Sequence, residues 1–162
     1  MGKNEERVYA TVAEAVDSMV EHYDKDDEKH KFYFKVQGDP FDVSFDIRVN
    51  YEGGYIMVLS RLNFDVPQKA YGKFVSEMTS VNYDELTIGS YDFSAEDGVC
   101  MFRYSQFFKE MLISQDAIRI MIRYVYDTVC NFNERLFNAT REDDDDENGD
   151  AETDDQGVKS EE

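Results

Sequence analysis

The chain has 162 residues, and 41% of them are apolar and 14% aromatic, enough to bury a core and to exclude a collagen-like or wholly disordered chain. Its 36 Asp and Glu outweigh 17 Lys and Arg, for a net charge of −19. A chain so acidic is repelled by phosphate backbones and anionic lipid surfaces, so the sequence predicts no nucleic-acid and no membrane partner.

Val8, Val12, Ala15, Val16, Met19, Val20 and Tyr23 recur at helical spacing, which predicts an amphipathic helix over residues 5–23. Residues 24–28 (Asp-Lys-Asp-Asp-Glu) read as a charged connection. A short β-like run over 30–36 then ends at the turn-forming Gly38-Asp39-Pro40. From Phe41 to Val49, five apolar residues alternate with four polar ones, as in a strand with one wet face. Gly53-Gly54 turns the chain into a third strand over 55–62.

Pro67 suits the first turn of a helix. Ala70, Tyr71, Phe74, Val75, Met78 and Val81 give that helix, over 67–82, its apolar stripe. A strand over 86–93, a hairpin turn at Ala95-Glu96-Asp97-Gly98 and a returning strand over 99–104 follow. Ser114 is a candidate N-cap, with Asp116 in the first turn of the last helix. There Ile118, Ile122, Val125, Val129, Phe132 and Leu136 form the strongest helical periodicity in the chain. The expected fold is α+β, in the order α-β-β-β-α-β-β-α, with short turns that imply an antiparallel sheet.

Composition breaks after residue 140. Residues 141–162 hold twelve acidic and two basic side chains, and Val158 is their one large apolar residue. Such a segment has too little to bury to offset its ordering entropy, so the division is a domain over 1–140 and a disordered acidic tail over 141–162.

A few patterns bear on chemistry. The two histidines, His22 and His30, sit in polar surroundings, and no Gly-x-Ser-x-Gly elbow or phosphate-binding glycine loop is present. The sequence therefore predicts no catalytic residue, no cofactor and no metal site. Asp144, Asp146, Asn148, Gly149 and Asp155 fall at positions 1, 3, 5, 6 and 12 of a calcium-binding loop. Asp stands where a bidentate Glu is usual, Ala151 replaces the aliphatic anchor, and flanking helices are missing. A calcium-responsive tail is thus the alternative from another functional class. Cys100 and Cys130 both lie in apolar stretches and read as free thiols. With an N-terminus that lacks an apolar leader, this places the chain in the cytoplasm.

Two strands are apolar on both sides. Tyr55, Met57 and Leu59 oppose Ile56, Val58 and Leu62, and Val99 and Met101 oppose Cys100, Phe102 and Tyr104. One layer of helices covers one face, so the other face needs either the helix over 67–82 or a second subunit.

From Asp65-Val66-Pro67 through Val81-Asn82, Gly89, Asp97-Gly98, Phe102-Arg103-Tyr104 and Ser114, the chain resembles the YbjN family of bacterial sensory transduction regulators. The element order over residues 5–138 also resembles the class I chaperones of type III secretion. The resemblance implies a small acidic homodimer that engages an unidentified protein client, without catalytic residues. It favours a twofold interface built from helix 67–82 and its neighbouring strand, with Tyr71, Phe74, Met78 and Tyr91 as contacts. It also makes Val8 and Val12 of the first helix candidate client contacts beside their simpler reading as core. The expected function is a non-enzymatic, chaperone-like binding domain, or more narrowly a dedicated type III secretion chaperone.

Overall fold

A computed structural model describes residues 3–109 and 111–141. The predicted acidic tail and the calcium-loop pattern at 144–155 lie outside the described residues. Helix α1 (Lys3–Met19) leads into strands β1 (Asp24–Asp26), β2 (Lys31–Val36), β3 (Val43–Asn50) and β4 (Tyr55–Arg61). Helix α2 (Tyr71–Ser80) follows, entered by a 3-10 turn at Gln68–Ala70 and left by a π-helical turn at Val81–Glu85. Strands β5 (Ser90–Ser94) and β6 (Val99–Phe107) form the last hairpin, and helix α3 (Gln115–Asn138) completes the fold.

All six strands form one antiparallel sheet in the order β1-β2-β3-β4-β6-β5. The strict alternation of β3 sends Val43, Phe45, Ile47 and Val49 to the buried side, and Ser44, Asp46, Arg48 and Asn50 to the other. Cross-strand register carries that division through the sheet. Phe32, Ile47 and Val58 share the inner face, whereas Tyr33, Asp46, Leu59 and Arg103 share the outer one.

The three helices lie against the inner face. Along α3, Ile118, Ile122, Val125, Val129 and Leu136 are each at most 3% exposed, and α1 packs beside it through Val8, Val12, Ala15 and Val16. Ser114 caps α3, its hydroxyl accepting the Ala117 N–H at 3.1 Å. Helix α2 joins the same layer. Its Phe74 ring meets Phe93 of β5 at 5.3 Å, Met78 reaches the Cys100 thiol, and Glu77 pairs with Arg135 of α3.

The α+β class, the antiparallel sheet and the three helices match the sequence reading, with four local differences. The first helix, expected over 5–23, ends at Met19, and residues 20–23 leave it toward β1. Residues 24–28 contribute a short strand, because Asp24–Asp26 pairs with Lys31–Tyr33 around a tight turn. The strand expected from residue 86 begins at Ser90. Gly89 has a φ of +78°, and a Cβ there would lie 2.5 Å from the Phe102 ring, so the extended run cannot pass through it. The returning strand runs on to Phe107, because β4 offers partners as far as Tyr55.

Candidate partner-binding surface

The six residues proposed as contacts do not form a surface. Val8, Val12, Phe74, Met78 and Tyr91 are between 0% and 9% exposed, and all belong to the inner core. Tyr71 alone keeps partial exposure, its ring edge-on to Phe93. The correction has a plain cause. Alternation shows that a strand has two apolar sides but not which side a helix will take, and α2 takes the side already occupied by α3. Burial in the monomer leaves those five side chains nothing to offer a partner.

The outer face is what stays open. No helix among the described residues crosses it. Tyr55, Met57 and Leu59 of β4 and Met101 of β6 form an apolar stripe there, bordered by Lys35, Arg48, Arg61 and Arg103. Leu59 is only 8% exposed although it points outward, and Asp46 and Arg103 stand opposite it on the two flanking strands. Asp46 is held by Arg48, whose guanidinium donates to both carboxylate oxygens at 2.5–3.0 Å, so this pair is fixed rather than free to swing.

The edges of the sheet differ sharply. At one end β1 covers β2 only over Lys31–Tyr33, and residues 34–36 run on beyond it. The chain over 20–23 passes near them yet makes no backbone hydrogen bond to them. The splayed segment leaves an opening on each side of the sheet. On the inner side a cleft of about 270 Å³ is lined chiefly by Met19, Val20, Phe34, Val36 and Ile122. On the outer side a larger, open one of about 810 Å³ runs past Tyr33, Lys35, Asp46, Arg48 and Leu59. At the other end, the backbone of β5 at Tyr91 is bound by the side chain of Asn82.

Around β1 the polar groups are paired. Tyr9 donates to Asp27 at 2.7 Å and Lys25 pairs with Asp27 at 2.8 Å; together, Lys25 first, they hold the Asp27 carboxyl below its ordinary range. His22 is exposed in the outer cleft, and His30 lies between Tyr51 and Tyr9 with a φ of +53°. Among the described residues, no three His, Cys, Asp or Glu side chains converge as metal ligands would. No described helix is long and apolar enough to cross a membrane. Cys100 and Cys130 are both free thiols.

Sequence reasoning missed the Phe34–Val36 edge. Its signal was available: the charged 24–28 segment is too short to shield a six-residue strand along its whole length.

A solved structure shares this fold. A chain of the HopA1–SchA chaperone–effector complex aligns with a TM-score of 0.57 at 9% identity, over 83% of this chain and 98% of that one. A chain of the ExoT–SpcS complex from Pseudomonas aeruginosa aligns with a TM-score of 0.47 at 10% identity, over 75% and 93%. The α+β fold is therefore one that a chain of a chaperone–effector complex also adopts. No protein-family model matches the chain, so membership of the YbjN family is not shown, and no curated protein matches it either.

Proposed function

We propose that this chain is a non-enzymatic, chaperone-like protein-binding domain that captures an extended segment of a client protein by strand addition at residues 34–36 of β2. One observation carries the reading: β2 outruns its neighbour where a cleft opens on each face of the sheet. Phe34 and Val36 turn their backbone groups to β3, as His30 does to Val49, so a strand laid there gains the N–H and C=O of Lys35, and its successive side chains point alternately into the two clefts. The inner one accepts apolar side chains against Met19, Val20 and Ile122. The outer one accepts polar or amphipathic side chains among Lys35, Asp46 and Arg48. The fold shared with a chain of a chaperone–effector complex supports this reading. So does the net charge of −19, which favours basic clients and keeps a complex soluble.

Within the same reading the protein works in the cytoplasm as a homodimer, with the apolar outer stripe of Tyr55, Met57 and Met101 as the surface a second copy would cover. A dedicated type III secretion chaperone is its narrower form.

The test is backbone amide exchange in the presence of a strand-forming peptide selected from an array. Slowed exchange at Lys35, the residue of this segment whose backbone points away from β3, with binding weakened at least tenfold (about 1.4 kcal/mol) by V20D or V36D, is the expected result. Peptides that bind tightly while protecting only helical surfaces, with Lys35 unchanged, would defeat the reading.

A further inference from the structure

The far edge of the sheet carries a device of its own. The Asn82 side chain donates from Nδ2 to the Tyr91 carbonyl at 2.9 Å, and its Oδ1 accepts the Tyr91 N–H at 2.8 Å. One amide thus imitates the paired bonds that a neighbouring strand would make. Because both backbone groups of Tyr91 face Asn82, Tyr91 and Phe102 are a non-hydrogen-bonded pair, and β5 turns its bonding groups toward β6 at Ser90, Asp92 and Ser94. Tyr91 and Phe93 are consequently the two residues of this five-residue strand whose backbone points away from the sheet. With Tyr91 occupied, two of the four backbone groups that β5 turns outward are already taken.

Asn82 is held for this task from several sides. It belongs to the π-helical turn Val81–Glu85, where Val81 is fully buried. Arg135 of α3 pairs with Glu77 and Glu85 on either side of Asn82, and the Tyr124 hydroxyl donates to the Ile88 carbonyl at 2.8 Å. A π turn shifts the helical register, which brings a residue at the end of α2 over the strand edge.

We infer that Asn82 closes the β5 edge against strand addition by a second copy of this chain. Exposed edges are otherwise templates for self-pairing. β1 blunts its own edge differently, being three residues long and charged throughout. This inference goes beyond the strand capture proposed at β2 and does not depend on it, because it is tested on the protein alone.

The experiment compares wild type with N82A by sedimentation velocity over a wide concentration range, together with amide exchange at Tyr91. The expected result for N82A is at least tenfold faster exchange at Tyr91 and self-association at least tenfold tighter than wild type. The inference is overturned if Tyr91 exchange accelerates while sedimentation matches wild type, since the edge is then open and still unused. It is equally overturned if Tyr91 stays as protected as before, since Asn82 is then not what occupies it. Should N82A fail to fold, N82S is read by the same two criteria, because its short hydroxyl cannot span both backbone groups.

Discussion

Ser114 and Cys100 show how much one side chain decides here, and in which direction. The Ser114 hydroxyl satisfies an orphan N–H at the start of α3, the helix on which most of the core rests. S114A is expected to lower unfolding free energy by about 1 kcal/mol, read from denaturant midpoints. Phe102 has 0% exposure between Tyr91 and Tyr124, so F102A should cost about 3–5 kcal/mol. The larger loss belongs to the residue that leaves a cavity, not to the cap. Burial pushes the Cys100 thiol from 9.0 up to about 12, and the nearby Asp92 charge acts in the same direction. Above pH 9 an unfolded chain loses this proton while the native one keeps it. Its stabilising effect is therefore complete below pH 9 and declines as pH rises toward 12. Urea titrations between pH 8 and 11 should show the fall, and C100A should flatten part of it. In native protein at pH 8 a thiol reagent should leave Cys100 unmodified until denaturant is added.

At the scale of elements, the informative feature is how each strand ends. β2 continues past β1 into two clefts, whereas β5 is bonded along its outer edge by Asn82 and β1 is short and charged. The α2 exit turn is fastened by Arg135 to Glu77 and Glu85, each of these side chains more than one-third exposed. Solvent screens such pairs, so R135M should cost no more than about 1 kcal/mol. It should nevertheless accelerate amide exchange over residues 86–91, because it frees the turn that positions Asn82. An unchanged exchange pattern would mean that the turn is held by Val81 burial alone. The helices themselves were legible from residue spacing: of the stripe that predicts α3, Ile118, Ile122, Val125, Val129 and Leu136 are buried and Phe132 partly so. Strand β1 was not legible, because three charged residues carry no hydrophobic period; only the partner strand makes them a strand.

For the whole molecule, the described core runs from Val8 to Ala139 with every helix on one face of the sheet. A chain shortened after Arg141 is accordingly expected to melt at the temperature of the full chain, measured by circular dichroism. A marked drop would mean that residues 142–162 contribute to the folded domain. The sequence by itself determined the class, the antiparallel sheet and the wet and dry sides of β3, because periodicity and turn chemistry are local and survive without tertiary contacts. It did not determine that α2 would sit beside α3, burying Phe74, Met78 and Tyr91 and leaving the Met57 and Met101 side open. A two-sided apolar strand accepts a helix on either face with similar local energy. Only the packing of all three helices against one another decides the choice, and with it which surface is left for another protein.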